Sequence, residues 1–139
     1  MHLVDANIFL EIELQQAHSE ACKQFLRSVH EGKTEALLTD FSIDLIAIVM
    51  ESEGKKPRHI RTFLASLLAY KGLKFHVFSL AEKIAATALM EEHGLGFGDA
   101  LTLQAMRSRG VTTIVSLDKD FDRVKEIKRL QPSEAVKQS

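Results

Sequence analysis

The feature that most constrains this chain is an alternation of very short apolar runs with longer stretches of helical periodicity. The runs lie at residues 3–4, 36–38, 74–78, 112–115 and 127–130. Between the first two, Cys22, Phe25, Leu26 and Val29 fall at i, i+3, i+4 and i+7, the apolar stripe of a helix over 19–30. Ile8 and Ile12 give the same period just after the first run, and Gly32 suits the stop of the second helix. Residues 43–50 are apolar almost throughout, so periodicity alone does not separate helix from strand there; length and position after a strand favour a buried helix. Pro57 fits the first turn of a helix reaching Tyr70. Ser79 and Glu82 form a capping box for a helix toward Glu92. Residues 93–98 read as a loop, Asp99 opens a helix to Arg109, and Gly110 ends it. Such alternation specifies βαβ units, whose crossovers return the chain to the same sheet edge and force the strands parallel.

Composition narrows the class by exclusion. The 139 residues include one cysteine, Cys22, which rules out an internal disulfide framework and a multi-cysteine zinc site. No apolar run approaches the ~20 residues of a membrane span, and residues 1–13 lack a basic signal-peptide flank. The expectation is one cytoplasmic domain without membrane attachment. Its 18 Lys and Arg against 19 Asp and Glu give a net charge of −1, so any nucleic-acid case depends on where the charges sit. The six histidines show no paired ligand spacing.

The positions of the acids are more informative than their number. Asp5 ends the first strand, Asp40 and Asp44 follow the second, Asp99 precedes the fourth, and Ser116, Asp118, Asp120 and Asp122 follow it directly. In a parallel sheet these strand ends share one edge, where ligands collect near the topological switch point. Crowded carboxylates repel one another unless a cation neutralises them, and oxygen ligands without His or Cys favour Mg2+ or Mn2+ over zinc. Plainer readings exist: Asp99 as a helix cap, and residues 118–122 as a solvated turn. A calcium loop is rejected, because Arg123 and Arg129 stand where that motif needs Gly and Glu.

Three segments in order, Asp5-Ala6-Asn7-Ile8-Phe9-Leu10, Gly98-Asp99-Ala100-Leu101-Thr102-Leu103 and Ile114-Val115-Ser116-Leu117-Asp118-Lys119-Asp120-Phe121, resemble the PIN-domain family. The resemblance extends over residues 2–131 and is nearest to small prokaryotic members, including toxins of VapBC-type pairs. It implies a three-layer α/β/α sandwich with a parallel sheet of about five strands, a single domain over 1–131 and a tail over 132–139 that frays from Glu134. It also implies a divalent-metal-dependent nuclease acting on RNA, with an antitoxin as a protein partner. Carried over by position, Asp5, Asp44, Asp99 and Asp118 are the catalytic acids, and Asp5, Asp99, Asp118 and Asp120 the metal ligands. Asn7 and Ser116 orient them. The second acid departs from the pattern: the family places Glu where Asp44 stands, and Asp40, one helical turn earlier, is the alternative.

Positive charge flanks these acids in sequence. Residues 54–81 contain no acid but carry Lys55, Lys56, Arg58, Arg61, Lys71 and Lys74; a second group comprises Lys119, Arg123, Lys125, Lys128 and Arg129. Lys55, Lys56, Arg58, Lys119 and Arg123 are the expected phosphate contacts; each also reads as ordinary solvated surface. Aromatic support near the first group is thin, with Phe63 and Tyr70 only, so base stacking there is weakly supported. The apolar excess of residues 43–50 suggests a homodimer, or else a helix buried in its own domain. Two other functional readings stay open: a catalytically idle PIN-like nucleic-acid-binding module, and a phosphatase or phosphotransferase using Asp5 as nucleophile. The latter wants Asp at the position of Asn7.

Overall fold

Three- and four-residue strands form where the apolar runs predict them: β1 (His2–Val4), β2 (Ala36–Thr39), β3 (Leu73–His76), β4 (Thr113–Val115) and β5 (Lys128–Leu130). The structure is a computed structural model, and it describes residues 1–137. Among these, the strands make one five-stranded sheet in the order β3-β2-β1-β4-β5, and every neighbouring pair is parallel. Leu3 pairs with Leu37 on one side and Ile114 on the other. The chain therefore starts at the centre of the sheet, builds outward to β3, then crosses back to β4. The order reverses between β1 and β4, the place where a parallel sheet opens a crevice at its strand ends.

Side chains alternate across the pleat, and the two faces take different helices. Val4, Ala36, Leu38, Val115 and Leu130 face α1 (Ala6–Glu13), α2 (Ser19–His30), α3 (Asp40–Ser52) and α4 (Pro57–Ser66) through Ile8, Phe9, Phe25, Ile46, Met50 and Phe63. Leu3, Leu37 and Ile114 face Met106 of α6 (Phe97–Arg109), which packs beside α5 (Leu80–His93). The result is the three-layer α/β/α arrangement. No helix among the described residues is long and apolar enough to cross a membrane.

Several local features differ from or sharpen the expectations. Residues 43–50 are helical: the Thr39 hydroxyl accepts the Ser42 N–H at 3.1 Å and starts α3. Ser42, Ile46 and Met50 form its inner stripe, and Ile48 stays 61% exposed. The Ser79–Glu82 capping box is present. Strand β3 stops at His76, because the Phe78 N–H leaves the sheet to donate to Asp40 Oδ1 at 3.3 Å. The helix expected to reach Tyr70 ends at Ser66 and tightens into a 3₁₀ turn over Leu67–Ala69. At the other end of the chain, α7 (Pro132–Lys137) forms where fraying was expected. Ala135 is fully buried against the α1–α4 side of the core, Val136 packs there too, and Glu134 accepts the Gln131 N–H at 3.0 Å. Residues 138 and 139 of the expected tail lie outside the described residues.

Candidate metal centre

Asp5 is held where β1 becomes α1. Its extended backbone makes it the N-cap, and Oδ1 accepts the Ala6 N–H at 2.8 Å. Oδ2 accepts the Ser116 hydroxyl at 2.6 Å and the Asn7 amide at 3.2 Å. Ser116, buried at the end of β4, spends its remaining capacity accepting the Asp118 N–H at 3.0 Å and the Asn7 Nδ2 at 3.3 Å. Asn7 Oδ1 accepts the Leu117 N–H at 3.4 Å. Asn7 and Ser116 thus lace the end of β1 to the end of β4, and a hydroxyl has no further bonds to give.

Past Ser116 the chain turns sharply. Asp118 Oδ1 accepts the Asp120 N–H at 2.9 Å and caps a 3₁₀ turn over Lys119–Arg123. Asp99 approaches from the opposite helix layer. It is not a cap: α6 begins two residues earlier, with Gly96 at its N-cap, so the carboxylate is the third residue of the helix and free of capping duty. One carboxylate oxygen each from Asp99, Asp118 and Asp120 lie within 4.8 Å of one another. Burial, then the charges of Asp118, Asp5 and Asp120, push the Asp99 carboxyl up to about 6, with Arg123 opposing. Burial also raises Asp5, against the stabilising bonds from Ser116 and Ala6, and Asp118 adds to the rise. Such crowding is unfavourable in the ionised state and favourable around a cation. An all-oxygen donor set of this kind suits a hard divalent ion.

The structure does not bring every sequence-predicted residue to this centre. Asp40 and Asp44 are not among the acids acting on Asp99. Asp40 Oδ1 is engaged by the Phe41 N–H at 2.9 Å and the Phe78 N–H at 3.3 Å, while Asp44 is exposed on α3. Arg123 reaches the Gly94 carbonyl at 3.0 Å and Asp120 Oδ1 at 3.5 Å, tying the 3₁₀ turn to the loop before α6. Lys119 is exposed beside Asp118. Lys56 and Arg58 are exposed at the α3–α4 junction, and Lys55 is partly buried there near Glu13. The 13 residues of α3 carry the chain about 20 Å from Asp40 before that junction.

Arg129 belongs by sequence to the second basic group, but it is turned inward. Its Nε and Nη2 donate to the two oxygens of Asp122 at 2.8 and 3.1 Å, and its Nη1 donates to the Ser116 carbonyl at 3.2 Å. A bidentate guanidinium therefore pins the far end of the acid-bearing turn to the strand that starts it. The only sequence signal is an Arg within the short final strand, where an outward residue would do as well. Phe63 and Tyr70 are likewise packed inward, edge-on against Phe9.

The comparisons with known proteins bear on the fold and the family. Among solved structures, VapC20 of Mycobacterium tuberculosis, a sarcin–ricin loop cleaving toxin, matches with a TM-score of 0.74 at 15% identity, over 92% of this chain and 99% of its own. VapBC2 from Rickettsia felis, bound to a DNA fragment from its promoter, matches with a TM-score of 0.69 at 16% identity, over 94% and 97%. A toxin–antitoxin complex from Klebsiella pneumoniae gives a TM-score of 0.68 at 16% identity, over 96% and 99%. At these identities the likeness speaks for the fold. A search of curated protein sequences finds no match. The family profile described as the PIN domain matches residues 2–127, which includes all three acid-bearing segments, and the chain therefore belongs to the PIN domain family.

Proposed function

We propose that this PIN domain is a divalent-metal-dependent endoribonuclease and the toxin of a toxin–antitoxin pair. The observation that carries the reading is the convergence of Asp99, Asp118 and Asp120 within 4.8 Å, at the sheet's switch point and beside Asp5. Mg2+ or Mn2+ held there supplies an acidified water and shields the charge that develops on a phosphodiester. Asp99, Asp118 and Asp120 are the ligands, and Asp5 acts on the same centre as a fourth acid. Ser116 and Asn7 keep the Asp5 carboxylate in place, since both donate to its Oδ2. Lys119 and Arg123 flank the acids and offer positive charge to the RNA backbone; Lys55, Lys56 and Arg58 meet a longer strand farther out. By family resemblance the products carry a 5′-phosphate and a 3′-hydroxyl. Asp44, exposed on α3, is the further catalytic acid, with Asp40 the alternative.

Two protein partners complete the proposal. An antitoxin occupies the apolar groove of about 600 Å³ lined by Ile60, Leu64, Ala65 and Leu68, with Glu51 and Arg61 at its rim. A second copy of the chain covers the exposed apolar side chains Leu45 and Ile48 of α3 and Leu80 and Ile84 of α5. The decisive experiment is cleavage of single-stranded RNA by purified protein with Mg2+ or Mn2+. Cleavage is expected to stop with EDTA and with Asp99→Asn, and cleavage that survives both would overturn the assignment. Asp44→Asn and Asp40→Asn, assayed side by side, decide which acid serves.

A further inference from the structure

We propose that Phe97, supported by Phe41, is the platform on which an unpaired base next to the scissile phosphate stacks; the proposal rests on the ribonuclease reading. Phe97 and Asp99 are the first and third residues of α6, so the ring and a carboxylate of the proposed centre belong to the same first turn but leave it on different sides. Phe97 is 40% exposed, as Phe75 is, but Phe97 alone of the two stands at the start of α6. Phe41 follows Asp40 and packs partly buried against the α5–α6 core. The two rings meet with centroids 6.4 Å apart at 86°. In an edge-to-face pair at least one face of each ring is unused by the other. The exposure of Phe97 puts such a face in solvent.

The local backbone is shaped around this pair. A Cβ on Gly98 would lie 3.1 Å from Phe41 Cε2, so the glycine lets the Phe41 ring slide under the first turn of α6 and support Phe97 from behind. Aromatic faces are the sequence-tolerant means by which proteins hold single-stranded bases, because every base has a π-face. Among the described residues, Phe97 is the one large apolar side chain exposed on α6. At 40% exposure, Phe97 offers roughly 80 Å², about a tenth of the ~800 Å² that each side of a stable protein interface buries. One base is the occupant that fits a single ring.

The test uses the full chain and a short single-stranded oligoribonucleotide spanning a site that the wild-type protein is first shown to cut. Affinity is read by fluorescence anisotropy in an Asp99→Asn background, which spares the RNA, and kcat/KM in the active protein. Phe97→Ala is expected to weaken RNA binding by about 5- to 150-fold, with Phe97→Trp retaining it. An abasic ribose at one nucleotide beside the cleaved bond should weaken wild-type binding equally and cost Phe97→Ala nothing more. Unchanged affinity in Phe97→Ala would overturn the proposal, as would abasic and Phe97→Ala losses that simply add. A changed sedimentation coefficient with normal RNA binding would assign the ring to a protein contact instead. Phe97→Leu keeps the apolar contact with Phe41 but lacks a π-face; the same losses are expected of it, and it replaces the alanine variant if that one folds poorly. Failure of the wild type to cut any RNA strikes the ribonuclease reading itself, and is seen before any Phe97 variant is made.

Discussion

Two groups of ionisable side chains lie on opposite sides of the β2 strand end, and they are built on opposing plans. At the end of β3, His76 Nε2 lies 2.9 Å from Glu82 Oε2, and its Nδ1 accepts the Arg109 Nε–H at 2.9 Å. Glu82 also takes the Ser79 N–H at 3.1 Å and the Ser108 hydroxyl at 3.0 Å. Burial opposes its charge, yet these bonds from Ser79, Ser108 and His76 together hold the carboxyl below its usual range. Donors surround Glu82, and Arg109 donates to His76 Nδ1 and to the Phe75 carbonyl. At the end of β4 the arrangement is reversed, for Asp99, Asp118 and Asp120 face one another and Asp99 is driven up to about 6. The first network is complete as it stands and secures β3 to α5 and α6. The second crowds like charges with Arg123 opposing them, an arrangement that suits the cation proposed above.

Mutations should break that contrast in a graded way. The largest expected effect is Asp118→Asn: metal-dependent RNA cleavage falls by ~10³-fold or more, because a ligand of the shielding cation is lost. Circular dichroism should show the fold intact. Next is Arg129→Met, which removes the three bonds joining Ser116, Asp122 and the acid-bearing turn. We expect the Mg2+ midpoint for cleavage to rise about 10-fold, in the range for groups that orient metal ligands, with about 1–3 kcal/mol of stability lost in urea unfolding. In the other network, Glu82→Ala should cost about 1–2 kcal/mol through loss of the cap and of the His76 bond, with RNA cleavage unchanged at saturating metal.

The smallest effect tests the crowding itself. The Asp99 carboxyl rises from 3.8 to about 6 on folding, so the folded metal-free protein holds that proton more tightly than the unfolded chain does. Its contribution to stability is therefore greatest below pH 4 and declines as pH rises to about 6. Asp99→Asn should stabilise the metal-free protein at pH 7.5 by on the order of 1 kcal/mol, after discounting ~1.4 kcal/mol per pKa unit for solvent screening. The difference should vanish near pH 4, and Mg2+ should raise the melting temperature of the wild type and not of the variant. A metal-free Asp99→Asn protein no more stable than wild type at pH 7.5 would mean that the crowded acids carry no electrostatic strain.

The acids of the centre are legible because strands announce themselves by short apolar runs, and a parallel sheet brings the residues after each run to one edge. Asp5 and Asp118 follow from that alone, with Asp120 two residues on; Asp99 needs the helix ahead of β4 to start at the same edge. Other features depend on where a side chain turns, which spacing does not encode. Arg129 could have faced solvent as readily as Asp122, and Asp99 could have capped α6 had the helix not begun at Phe97. Ala135 is small for an anchor; it is buried because α7 packs on α2, a contact between residues far apart in sequence. Phe63 and Tyr70 of the first basic stretch pack inward, whereas the exposed rings are Phe75 and Phe97, the latter two positions before Asp99.

The bond from Ser116 to Asp5 spans 111 residues of chain. Asp5 and Asp99 wait for Asp118 and Asp120 until the chain has been synthesised past residue 120, and the bidentate support from Arg129 arrives later still. A chain that ends before Asp118 lacks two of the three converging carboxylates, whatever its first helices have already formed, and a cut between α6 and β4 would sever Asp99 from Asp118 and Asp120. Separating the acids across so much sequence makes the centre a property of the intact chain.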